Sequence, residues 1–388
     1  MTATLDRPAR PTESPRGAGS ARRRFLGALD SRGQVVEHLT PNWFGAVMGT
    51  GIVANAAVAL PLHSAALVGF ATVVWVIAAL MLTTISAGFI AHWVRHPQNA
   101  RDYASHPVMS QFYGAIPMAL LTVGAGTLHL GAPLIGQTPA VWIGGALWAL
   151  GTAAGLVTCV WVPFSMMTAE RRHEVRALPA WLMPVVPPMV SAATGAALIE
   201  FVPEGQARLA LLAGCYALFG MSLVFGMMTL AMIYARLLHG GVPVSTSAPT
   251  IWITLGIIGQ SITAANLLGA HADLVFSGDQ APIALGCKIF GMIFGLAMAG
   301  FGVAMFALAT AVTVRSIRAG MPFALTWWSF TFPVGTCVTG LSALGLALGA
   351  GPIQDASEVL YVVLLTAWVI VATRTAHAAF TGRAFLAA

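Results

Sequence analysis

Ten apolar runs follow one another along this chain, each near the ~20 residues that an α-helix needs to cross hydrocarbon. They cover approximately residues 41–60, 65–91, 107–130, 139–162, 179–200, 207–236, 249–270, 281–312, 322–349 and 357–380. Inside a bilayer an unpaired peptide group has no water to turn to, so only helices and closed β-barrels survive there. Runs of this length are helices. The charged residues fall almost entirely between the runs and make up only 8% of the 388 residues, against about 25% in soluble domains. Mean hydropathy is +0.81. The predicted fold is an all-α integral membrane protein with ten transmembrane helices.

Charge placement orients these helices. With the N-terminus inside, the inner connections hold Arg95, Arg101, Arg171, Arg172, Arg176, Arg236, Arg315 and Arg318, and the C-terminal end adds Arg374 and Arg383. The outer connections hold Glu200, Glu204, Asp273, Asp279, Asp355 and Glu358; only Arg208 and Lys288 fall on that side. The positive-inside rule is then met at every connection, which an odd helix count would prevent. The net charge of +6 therefore reads as membrane topology and not as nucleic-acid binding. Residues 1–37 are rich in Arg, Pro, Ser and Gly and are expected to form a disordered basic cytoplasmic tail. Residues 38–384 form the transmembrane domain. The protein is expected in the plasma membrane, multi-pass, with both termini cytoplasmic.

Connections this short pair consecutive helices as antiparallel hairpins, five in all. Breakers recur in the odd runs. A proline at the inner end is followed about ten residues later by a second proline or a glycine: Pro41 and Gly51, Pro107 and Pro117, Pro179 and Pro188, Pro249 and Gly259, Pro322 and Pro333. Irregular backbone at membrane depth is tolerated only when buried in protein or lining a watery cavity. The odd helices are therefore expected to form an inner ring around a pore, and the even ones an outer ring.

Pro333 marks the sharpest break. Its ring clashes with the carbonyl four residues back, at Ser329, and it offers no N–H. Phe332, just before it, lies ten residues past Pro322, about 15 Å along a helix and so at the midplane of a core roughly 30 Å thick. A bulky ring there can plug a narrow pore. Phe332, Phe330 and Pro333 are the candidate gate. Gly49, Thr50, Gly51, Tyr113, Pro117, Pro187, Pro188, Gly259, Gln260 and Ser329 are the candidate path. Any one polar residue among them is more often a helix–helix hydrogen bond than a pore group.

The runs contain no Asp or Glu near mid-depth. This argues against a cation channel or a carboxylate-coupled pump. An anion can instead use freed backbone N–H groups and the positive ends of half-helices. His92, His96 and His106 lack metal-site spacing and are expected to be solvated loop residues. The four cysteines form no CxxC pair and read as small apolar fillers. Gly220-Met221-Ser222 has neither the following glycine nor an evident His partner of a nucleophile motif, so no enzyme activity and no cofactor are expected. Trp327 and Trp328 read as packing or interfacial anchors.

Four stretches carry a resemblance: PNWFGAVMGTGIVA (Pro41 to Ala54), QFYGAIPMALLTVG (Gln111 to Gly124), PTIWITLGIIGQS (Pro249 to Ser261) and WWSFTFP (Trp327 to Pro333). In this order they resemble the tellurite-resistance/dicarboxylate transporter family, which includes the plant slow anion channels and yeast malate and sulfite transporters. The resemblance implies ten helices in five hairpins, a quasi-fivefold pore through each subunit, a homotrimer, and an occluding phenylalanine matching Phe332, or Phe330 in another register. It implies a small anion as substrate. The GTG and GQS forms look more like the malate/sulfite branch, hence a C4-dicarboxylate, sulfite or another oxyanion. The alternative is a gated channel for chloride or nitrate. A membrane sensor or scaffold that binds a partner through its basic tail is a third class.

Overall fold

A computed structural model describes residues 25–62, 64–168, 177–242 and 246–386 of the chain. The described residues are helical and contain no strand. The principal helices are α1 (Phe44–Ala59), α2 (Ala65–Arg95), α3 (Ala115–Leu130), α4 (Gln137–Thr168), α5 (Pro187–Ala196), α6 (Gln206–Gly240), α7 (Ile253–His271), α8 (Ala281–Arg318), α9 (Phe332–Leu348) and α10 (Gly351–Thr381). Eight helical stretches are long and apolar enough to cross a membrane; those that contain α1 and α5 are not among them. The protein is thus a multi-pass membrane protein.

The odd helices share a construction. Each follows a tighter 3₁₀ segment: Pro41–Trp43, Met109–Gly114, Pro179–Leu182, Ala248–Trp252 and Leu325–Phe330. Prolines explain where these change to α-helix. Pro117, Pro187, Pro188 and Pro333 all stand within the first three residues of an α-helix, where an N–H has no intrahelical partner to lose. Pro333 therefore starts a new helix and does not bend a continuous one. Gly51 and Gly259, expected to be breakers as well, lie inside the unbroken helices α1 and α7.

Odd and even helices differ in burial. In the most apolar window of Met109–Leu130, Ala248–Leu274 and Leu325–Leu348, 78%, 94% and 67% of residues are buried. In α2, α4, α6 and α10 and in the Gly278–Arg318 stretch that includes α8, the share lies between 17% and 28%. Helices α1 and α5 are buried along almost their whole length. Contacts among the buried five close on themselves: α1 meets α3, α3 meets α5, α5 meets α7, α7 meets α9, and α9 meets α1. Each even helix packs on the odd helix before it and on the next one round.

Polar clamps tie the two layers. Trp75 of α2 donates to the Val123 carbonyl at 3.3 Å, Trp148 of α4 to Ser191 O at 2.9 Å, and Ser222 of α6 to Val185 O at 2.7 Å. Tyr361 of α10 donates to Val53 O at 3.3 Å. These donors satisfy additional lone pairs on buried helices, and each such bond adds on the order of 0.6 kcal/mol in a membrane interior.

Two expectations need correction. Residues 1–24 lie outside the described residues, as do Arg171, Arg172 and Arg176, but residues 25–37 of the expected tail are described, form turns and a short helix, Gln34–Glu37, and pack on the end of α10. Leu26 N–H donates to Phe380 O at 2.8 Å and Ala28 N–H to Thr381 O at 3.0 Å, and the Phe25 and Phe380 rings lie 5.5 Å apart. Phe25, Leu26 and Leu29 give this stretch the apolar surface that the preceding residues lack. His92 is also no solvated loop residue. It is fully buried near the end of α2, and its Nδ1 donates to Val36 O at 2.9 Å.

Candidate functional site

Two cavities lie among the buried helices, and every odd segment lines both. The narrow one has room for about 20 Å³, little more than one water. It is lined by the starts of the odd segments: Gly45 and Met48; Phe112 and Met118; Met183 and Val186; Ile253 and Gly256; Ser329, Phe332 and Pro333. The wide one holds about 520 Å³. It is lined by residues further along the same segments, so all five odd helices run through the molecule in one direction.

The lining follows helical spacing. Ile52, Asn55 and Ala59 line the wide cavity from α1, and Thr122, Ala125 and His129 from α3. The same steps of three and four residues give Val190, Ala193 and Ala197 in and just after α5, and Gln260, Thr263 and Leu267 in α7. Helix α9 adds Thr339, Ser342 and Leu346. Residues three or four apart share one helix face, so each helix offers a single stripe to the cavity.

One residue lines both cavities: Phe332. It is 3% exposed and stands at the first position of α9. Thr331, before it, is held by a hydrogen bond from its hydroxyl to Trp328 O at 2.7 Å. Trp328 in turn donates to Thr375 of α10 at 3.1 Å. The backbone that carries the Phe332 ring is thus anchored to the outer layer.

The expected path residues divide. Gln260 lines the wide cavity, and Ser329 and Pro333 the narrow one. The Gln260 amide has no hydrogen bond among the described residues. The others line neither cavity. Phe330 packs against Trp252 and Trp327 at 5.7 and 5.8 Å. Thr50 accepts a hydrogen bond from Trp368 of α10 at 3.2 Å. Tyr113 packs on Phe89 and Trp161 and donates to Ala100 O at 3.4 Å. A Cβ on Gly49 would lie 2.3 Å from Thr331 Oγ1, one on Gly51 2.8 Å from Thr122 Cγ2, and one on Gly259 2.5 Å from Cys337 N. These glycines are close approaches between helices. Pro117 and Pro187 face Gly155 of α4, and Pro188 is buried within α5.

Sequence reasoning passed over Asn55, Thr263, Thr339 and Ser342. Their signal is helical phase: Asn55 lies seven residues past Met48, Thr263 three past Gln260, and Thr339 and Ser342 seven and ten past Phe332, steps that keep to one helix face. Thr263 and Thr339 share a hydrogen bond of 2.8 Å. Asn55 Nδ2 donates to Thr122 O at 2.9 Å, which leaves its Oδ1 unpaired. Three titratable groups, His129, Glu200 and His271, line the wide cavity. Among the described residues, no Lys or Arg lines either cavity.

The sequence profile of the voltage-dependent anion channel (SLAC1) family matches residues 38–376. The chain belongs to this family. Among its relatives, the sulfite efflux pump SSU1 of Trichophyton rubrum is 28% identical over 90% of this chain and 93% of its own length. An uncharacterized transporter of Methanocaldococcus jannaschii is 27% identical, over 93% of this chain and 99% of the relative. A malic acid transport protein of Schizosaccharomyces pombe is 22% identical, over 87% and 77% respectively. Members of the family are anion transporters or channels, not enzymes. This chain is a membrane anion transporter of that kind.

Proposed function

We propose that the protein conducts a small oxyanion, sulfite or a C4-dicarboxylate such as malate, through a central pore closed by Phe332. The observation that carries this reading is that Phe332, alone among the described residues, borders both cavities. The five buried segments form an inner, quasi-fivefold ring, and the five exposed helices an outer one. Ten crossings in five hairpins follow if α1 and α5, with their 3₁₀ lead-ins, complete the spans that their breaks shorten. An even number of crossings is supported by the packing of residues 25–29 on the end of α10.

The wall chemistry suits an anion that must also leave. The free amide of Gln260, and the hydroxyls of Thr263, Thr339 and Ser342 once they turn from the backbone carbonyls to which they donate, make weak, replaceable contacts, whereas a resident Lys or Arg would trap the ion. The relatives that move sulfite and malic acid support an oxyanion. The family description as an anion channel favours a second reading, gated passage of chloride or nitrate. Arginine placement supports cytoplasmic termini in the plasma membrane, and the family resemblance supports a homotrimer. The basic residues before Phe25 are assigned to a cytoplasmic tail.

Phe332→Ala tests the gate. It should raise anion current in planar bilayers by about tenfold or more, the factor that a barrier lower by about 1.4 kcal/mol gives. An unchanged current from a folded variant would reject Phe332 as the plug.

A further inference from the structure

We infer that His129, Glu200 and His271 form an anion-capture site at the mouth of the wide cavity, which takes a divalent oxyanion more tightly as its two imidazoles gain protons. The inference rests on the reading of that cavity as the anion path.

The three residues come from three successive members of the buried set. His129 lies near the end of α3, Glu200 in the turn Ile199–Phe201 after α5, and His271 at the end of α7. All three line the wide cavity, and His129 lies within electrostatic reach of both others. They do not come together as a metal site.

Their hydrogen bonding leaves them available. His271 Nδ1 donates to Leu267 O at 2.8 Å. A carbonyl can only accept, so Nδ1 carries the proton and Nε2 is the nitrogen left for a ligand. A neutral Nε2 accepts but cannot donate; a protonated one donates. The His129 ring has no hydrogen-bond partner among the described residues, and neither has the Glu200 carboxylate.

The neighbouring charges are already engaged. Arg208 donates to Val202 O at 2.9 Å and to Leu274 O, Glu200 O and Glu204 Oε1 at 3.4 Å each. Lys288 pairs with Asp273. Neither cation lines the cavity. With both imidazoles neutral, Glu200 leaves the mouth with one negative charge, which repels an anion. With both protonated, the trio carries one net positive charge and two new donors. An anion bound to the charged form draws protons onto the pair.

Sulfate is a suitable probe because it stays doubly charged across the range concerned. Its binding to the purified full chain is measured by titration calorimetry at about pH 5.5 and about pH 7.5, on either side of the range in which histidine side chains ordinarily change charge. Sulfate should bind about tenfold or more tightly at the lower pH, as two added positive charges imply. The double variant H129Q/H271Q should lose that pH dependence, and each single variant should lose roughly half of it. E200Q should bind sulfate more tightly than the parent at the higher pH.

Affinity independent of pH, no binding at either pH, or pH dependence retained in the folded histidine variants would overturn the site. Sulfite flux into liposomes, measured on the same preparations, separates this outcome from failure of the transport reading. Flux with pH-independent sulfate binding removes the capture site alone. Histidine-dependent binding without flux removes the transport reading and leaves the site.

Discussion

Gly259 shows what a single residue does at the centre of this protein. A Cβ there would stand 2.5 Å from both Cys337 N and the Thr336 carbonyl carbon. The obstacle is backbone, which cannot swing aside as a side chain can. Gly259→Ala must push α7 from α9 and should cost about 1–3 kcal/mol, the usual range for overpacking. Thermal unfolding in detergent measures the loss; an unchanged midpoint would show that the two helices do not meet there. Thr50 makes the complementary point. It sits beside Gly49 and Gly51 in a stretch that reads as pore lining, yet its hydroxyl holds Trp368. Helix phase separates such residues: Met48 and Ile52 fall on the cavity stripe, and the three between them do not. A residue's neighbours in sequence say it lies in the helix, but only its angular position says which way it faces.

The helices sort by what they must bury. Continuous helices such as α8 carry apolar side chains all round and remain largely exposed. Val303 of α8 is 73% exposed and stands near the middle of the helix, where the surroundings are hydrocarbon or another apolar surface. Val303→Lys should therefore cost about 2.5–3.5 kcal/mol of insertion free energy and lower the yield of monodisperse protein on size-exclusion chromatography. A parent-like yield would mean that this face meets water. The odd helices are interrupted because each begins as a 3₁₀ segment. Prolines place that change wherever a first turn can spare an N–H, and this much was readable from Pro117, Pro188 and Pro333. Gly51 and Gly259 were misread as breaks of the same kind. Glycine permits irregular backbone and also permits close packing, and the sequence does not distinguish the two uses.

At the scale of the whole molecule, the contacts of α1, α3, α5, α7 and α9 close into a cycle, and the two ends of the described chain meet. Leu26 and Ala28 bond to the end of α10, so both ends lie at one face of the membrane domain. Cysteines introduced by Ser31→Cys and Arg383→Cys should both react with an impermeant maleimide from the same side of oriented vesicles. Reaction from opposite sides would contradict this packing and require an odd number of crossings.

The amino-acid order by itself determined that this is a helical membrane protein. It also determined which segments are interrupted, and that Phe332 stands before the Pro333 break. These are local properties: apolar run length, missing N–H groups and the spacing of prolines. Tertiary structure alone decided which face of each interrupted helix looks inward, and so why Asn55, Thr263 and Thr339 line the wide cavity while Thr50, Tyr113 and Phe330 line neither. It also decided that His129, Glu200 and His271, 142 positions apart from first to last, share one cavity. In helices that are apolar all round, no polar face marks the inside. The inward direction is set by where neighbouring helices approach closely enough to pack, and that is a property of pairs of helices, not of any one.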